Sequence, residues 1–183
     1  MFDGDYTING QHATYVKYLV NEAKAFKRYI DVYMTGAVIG ALNNKRSKKI
    51  DTHDRARIYA DAFNTEYVKC NEIFKIVILS DTSKNWTTDE RINICFKYRD
   101  KMDENAIPPI LQSEVDIMKD ALKLFNEYAF GGIEILYENF SSSAAVNIND
   151  TVDYAYKSIY DQYMLIETGK DNVDLENLFK PEY

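Results

Sequence analysis

Apolar residues in this chain recur at intervals of three and four rather than two, a spacing that predicts helices along most of its length. The clearest run is Leu111, Val115, Met118, Leu122, Phe125, Ala129, Gly132 and Leu136, whose steps alternate between four and three. Such a run lays one seam along a single long helix packed nearly parallel to another. Upstream, Tyr15, Tyr18 or Leu19, Ala23 or Phe26, Ile30, Tyr33 or Met34, and Ala37 fall on one broad stripe. They predict a helix over about 14–42, stopped by Asn43-Asn44. Ile58, Ala62, Tyr67, Cys70, Phe74, Val77 and Ile78 predict a second over about 54–79, with Asp51 or Asp54 as its cap. Thr87-Thr88-Asp89-Glu90 places a hydroxyl three residues before a glutamate, the reciprocal pairing that starts a helix, and this third helix ends before Pro108.

Strand-type alternation is confined to fragments such as Lys75 to Ser80, which sit within helical spacing. Gly131-Gly132 interrupts the longest helix, either to allow a close backbone crossing or to mark a kink; Gly36-x-x-x-Gly40 is a second small-residue contact signal. After a Ser-rich segment, Asn149 or Asp150 caps a helix over about 151–167 that ends at Gly169, with a short turn around 175–179. The expected fold class is all-α: a single-domain bundle of five or six helices with one long central helix. Residues 1–13 read as an N-terminal arm, 43–53 as a basic inter-helix loop and 141–149 as a Ser-rich loop.

Length and composition support a folded core. With 183 residues, 46% hydrophobic, 9 Phe and 15 Tyr, and only 7 Gly and 3 Pro, the chain has enough apolar material to fold without a disulfide or metal. The start, Met1-Phe2-Asp3-Gly4-Asp5-Tyr6, is acidic and polar, unlike a secretory signal, so a cytoplasmic location is expected. The longest weakly polar stretch, 33–42, is about half a membrane span, and no membrane association is expected. Cys70 and Cys95, far apart and in no Cys-x-x-Cys spacing, read as reduced buried thiols.

Charge changes the picture more. The net charge of −7 hides an asymmetry: residues 1–60 hold 10 Lys and Arg against 6 Asp and Glu, a net of +4, whereas residues 103–183 hold 5 against 16, a net of −11. The basic residues concentrate at Lys45, Arg46, Lys48 and Lys49, with Arg55 and Arg57 just beyond. These six are the candidate partner-binding residues, able to meet phosphates or an acidic protein surface. A solvated loop is the plain alternative, and the acidic back of the chain opposes free-standing nucleic-acid binding. Tyr154, Tyr156, Tyr160 and Tyr163 interleave with that acidic segment, three of them on one helical face, as core or as a partner surface.

No Glu-x-x-His, His-Glu-x-x-His, phosphate-loop or dinucleotide-loop motif is present, and no catalytic, cofactor or metal residues are assigned. The His53-Asp54 pair, with His12 upstream and Asp116 or Asp120 downstream, resembles the HD-type metal phosphohydrolases. That resemblance would imply a divalent metal and a bound-water nucleophile; helix capping by Asp54 is the simpler account. Glu134 and Glu138, one turn apart, read as surface acids or a ligand pair.

The segments Phe26 to Tyr33, Glu90 to Phe96 and Leu124 to Glu138 resemble blocks in small accessory proteins of bacterial phage-defence or DNA-modification loci. The resemblance implies an accessory subunit and transfers no residue role. The expected function is a non-enzymatic helical adaptor of a larger complex, with a protein partner and with nucleic acid reached through the basic loop. Direct nucleic-acid binding and HD-like hydrolysis are the alternatives.

Overall fold

The computed structural model describes residues 2–49, 52–103 and 105–141. The order is β1 (Tyr6–Asn9), α1 (Gln11–Lys17) running into a π-helical turn (Tyr18–Glu22), α2 (Tyr29–Leu42), β2 (Arg55–Ile58), α3 (Ala60–Thr65), α4 (Tyr67–Ser80), α5 (Thr88–Phe96) and α6 (Gln112–Ser141). Met1–Glu138 form one compact unit, and a second covers Asn139–Tyr183. The Ser-rich loop beyond Ser141, the helix expected over 151–167, the terminal turn and Tyr154, Tyr156, Tyr160 and Tyr163 lie outside the described residues. Among the described residues, no helix is long and apolar enough to cross a membrane.

The protein is mainly α-helical, with a correction to the all-α expectation: β1 and β2 pair antiparallel, Thr7 opposite Arg57 and Asn9 opposite Arg55. Ile8, Ala56 and Ile58 face the core, while Arg55 and Arg57 are exposed. Four-residue strands offer too few alternations to stand out from helical spacing, which is why they escaped the periodicity. The helix expected from residue 54 begins instead with β2, and Asp54 caps nothing. Its carboxylate accepts from Thr14 and from Lys17 Nζ at 2.9 Å, and its carbonyl accepts from Gly10 N–H at 2.9 Å, so it ties α1 to the ribbon. Nor are residues 1–13 a free arm, because Phe2 is 6% exposed and stacks on Phe63 with centroids 5.5 Å apart.

The helix expected over 14–42 is broken. After the π turn the chain passes Lys24 in the left-handed region (φ 52°) and re-enters a helix from extended Arg28. Leu19, Ala23 and Ile30 stay buried on both sides, so the irregular turn re-phases the stripe and leaves its apolar rhythm intact. Asn43-Asn44 does end α2, with Asn43 Nδ2 donating to the Ile39 carbonyl at 2.9 Å. The reciprocal cap of α5 is formed by Thr87 and Glu90, and this helix stops at Phe96, well short of Pro108.

α6 is the long helix the spacing predicted. Val115, Met118, Phe125, Ala129, Gly132 and Leu136 are buried; Leu111 is exposed and Leu122 half-buried. Ala121, Leu124, Tyr128, Phe130 and Ile133 are buried as well, so the helix is covered over much of its circumference. Its contact with α2 is made of glycine. A Cβ built on Gly132 would lie 1.8 Å from the Gly36 carbonyl oxygen, and one on Gly40 would lie 2.0 Å from that of Tyr128. Gly131-Gly132 is therefore a close crossing, and Gly36-x-x-x-Gly40 is its other half.

Candidate functional site

Part of the acidic stretch packs against the basic segment. After α2, the segment Lys45 to Lys49 lies across α6 as a strap. Lys45 N–H donates to the Gly40 carbonyl at 2.8 Å and Ser47 N–H to the Glu127 carbonyl at 2.9 Å. Gly131 makes this possible, since a Cβ there would sit 2.1 Å from the Lys45 oxygen. Lys45 Nζ lies 3.5 Å from Glu134 and 3.6 Å from Glu138. Arg46 pairs with Glu127 at 3.9 Å and lies 5.9 Å over the Tyr128 ring. Three acids of the acidic back thus neutralise the first half of the basic cluster. Part of the apparent charge dipole is consumed internally.

The six candidate residues therefore separate. Lys45 and Arg46 anchor the strap. Lys48 and Lys49 extend past it and line a groove of about 650 Å³ between the strap, β1 and α6. Arg55 is exposed on the ribbon opposite Asn9, which also lines the groove. Arg57 pairs with Asp5 and lies 5.2 Å over the Tyr59 ring, away from the groove lining. The opposite wall carries two cations the sequence reading missed, Lys119 and Lys123, one turn apart on α6 and both exposed. They sit in the acidic stretch 103–183, where a running charge count hides them; their i,i+4 spacing was the available signal.

Asn126 forms the floor. Its Oδ1 accepts from Tyr6 at 2.8 Å and from Tyr33. With the oxygen so engaged, the amide N–H₂ is the end left to serve the groove it lines. Burial holds the Tyr6 phenol up at about 12, so both tyrosines act as neutral donors. Glu127 also lines the groove, with Arg46 beside it.

Beneath the strap, Glu134 is half-buried rather than a surface acid. It accepts from Ser47 and from His12 Nε2 at 3.0 Å. Burial raises its pKa, yet the Ser47 and His12 hydrogen bonds and the Lys45 charge outweigh that, so it lies below the usual value. His12 is fully buried, stacked on Phe130 at 4.6 Å, with the edge of Tyr15 at 6.3 Å and Nδ1 without a partner. Burial depresses its pKa below 6.5, more than Glu134 raises it. The unfolded chain then binds a proton that the folded one refuses. Stability is fully present above pH 6.5 and declines as pH falls toward the folded value, by at most about 1.4 kcal/mol per pH unit. In His12→Phe, thermal unfolding followed from pH 7 to pH 5 is expected to lose this component; an unchanged pH profile would contradict it.

The HD-type ligand set is not gathered. His12 is spent on Glu134, Asp54 on Thr14 and Lys17, His53 is exposed, and Asp116 binds Gln112 and Lys119. Among the described residues, no group of three or more His, Cys, Asp or Glu side chains is placed to hold a metal ion. Cys70 is buried and Cys95 half-buried, both free, and burial pushes both thiols up to about 11. That makes them poor nucleophiles at neutral pH. No protein-family model, curated protein or solved structure matches the chain.

Proposed function

We propose that this chain is a non-enzymatic helical accessory subunit of a larger cytoplasmic complex and meets an anionic partner at the lysine-lined groove. The observation that carries the reading is the strap. Its inner cations are locked onto α6 while Lys48 and Lys49 are held beside Lys119 and Lys123, so four positive charges from distant parts of the chain share one concave face. A second surface suits a protein neighbour: Val68, Ile76 and Leu79 on α4 and Ile92 and Phe96 on α5 are exposed, between 40% and 73%. The resemblance to accessory proteins of phage-defence or DNA-modification loci points the same way.

The clean test reverses Lys48 and Lys49 together. Reversing Lys45 or Arg46 would set carboxylate against Glu127, Glu134 and Glu138 and dislodge the strap itself. Lys48→Glu with Lys49→Glu is expected to change stability by within about 0.5 kcal/mol, as exposed substitutions do. Association with the chains that co-purify from the native host should weaken, and more so at low salt. Retention of the same partners with the same salt sensitivity would leave the strap merely solvated and sink the reading.

A further inference from the structure

We infer that the groove is a binding track for the phosphodiester backbone of a single-stranded nucleic acid, an inference that rests on the proposed function and names its anionic partner. Two features suit the groove to phosphate. Every cation lining the groove is a lysine, a compact point charge able to meet phosphate oxygens. Beside Glu127, which Arg46 meets, the polar lining holds the Tyr6, Thr7 and Ser47 hydroxyls and the amides of Asn9 and Asn126, neutral groups of the kind that fix backbone phosphates without reading bases.

Two features select a strand over a compact anion. The cations form two rows, Lys48 and Lys49 on the strap and Lys119 and Lys123 along α6, so they flank a path. Exposed Arg55, paired across the ribbon with groove-lining Asn9, extends that path past the groove's end. The groove's volume of about 650 Å³, bounded by strap, ribbon and helix, leaves room for more than one phosphate group.

The test uses the full chain and a labelled oligothymidylate of about 12 nucleotides, with affinity read by fluorescence anisotropy across a salt series. Single strands give a salt slope of about −0.7 per phosphate neutralised, so four lysines give about −3 and roughly a 50-fold loss between about 50 and 200 mM salt. Lys48→Ala with Lys49→Ala, or Lys119→Ala with Lys123→Ala, should each halve that slope, leaving a loss of about 7-fold over the same range. Lys69→Ala with Lys97→Ala, exposed but outside the groove, should leave the slope unchanged. Melting curves matching wild type establish that the variants are folded.

No oligonucleotide binding at low salt would overturn the inference, as would a slope indifferent to the groove lysines. Equal binding by a glutamate-rich peptide, or equal competition per mole by inorganic triphosphate, would also overturn it, by showing a general or compact anion site. If the oligonucleotide fails while Lys48→Glu with Lys49→Glu still releases a co-purifying protein, the inference falls and the accessory reading stands. If both fail, the reading falls with it.

Discussion

Gly132→Ala is expected to destabilise the protein by about 3 kcal/mol or more, although the same change in an exposed helix gains about 1 kcal/mol in helix propensity. The sign turns on what the new methyl meets. It would lie 1.8 Å from the Gly36 carbonyl oxygen, 2.6 Å from its carbon and 2.7 Å from Gly40 N, all backbone atoms of α2 that no rotamer change can move. The helices would have to part, and every contact along the crossing would loosen with them, including Ile133 and Ala129 against Gly36. Against a total stability of about 5–15 kcal/mol, such a loss lowers the melting temperature by about 6–12 °C or leaves the protein insoluble. Gly4→Ala, with nothing within 4 Å of its Cβ position, should be nearly silent. A urea midpoint for Gly132→Ala equal to wild type would refute the close crossing.

That crossing also shows which features could be read from residue order. Gly36, Gly40 and Gly132 were recognisable as small-residue signals, and α6 stood out because its apolar steps run unbroken for seven turns. The start of α5 was legible because its cap is local, two side chains three residues apart. The break between α1 and α2 was not, since a π turn preserves burial while it ends the helix, and periodicity reports burial alone. The ribbon was lost because each strand holds only four residues. At the site, Lys48 and Lys49 were visible as part of a dense run. Lys119 and Lys123 were masked by acidic neighbours, and the burial of Glu134 depends on His12 and Ser47, 122 and 87 residues away. Pairings of that separation have no local signature. Charge counted along the chain therefore treats as open the Lys45 and Arg46 charges that Glu127, Glu134 and Glu138 meet in the fold.

Asp81→Ala should be nearly as damaging, at about 3 kcal/mol, because one buried carboxylate ties the end of α4 to α6 and to the turn that follows it. Asp81 is 2% exposed at the end of α4. It accepts from the Tyr128 hydroxyl of α6 at 2.6 Å, Ser83 Oγ at 2.7 Å and Lys84 N–H at 3.0 Å, while Arg91 of α5 donates to its carbonyl. Burial raises its pKa, but the bonds from Tyr128, Ser83 and Lys84 overcome this and hold it below 3.8. Burial and the facing carboxylate push the Tyr128 phenol up to about 12, so the hydroxyl stays a donor throughout the working range. Truncation to alanine leaves that hydroxyl with the long 3.4 Å contact to Asn44 and takes the carboxylate acceptor from Ser83 and Lys84 N–H. Asp81→Asn keeps an acceptor for Tyr128 without the charge and should cost less, about 1–2 kcal/mol. The pH dependence separates charge from shape. Because the folded pKa is depressed, the unfolded chain takes up protons first, and the carboxylate's contribution, intact well above pH 3.8, is lost as pH falls through its folded value. Acid unfolding between pH 5 and pH 2 should therefore be steeper for the wild type than for Asp81→Asn. Parallel acid titrations of the two proteins would show that the carboxylate's charge contributes nothing and that Asp81 holds α4, α5 and α6 together by hydrogen-bond geometry alone.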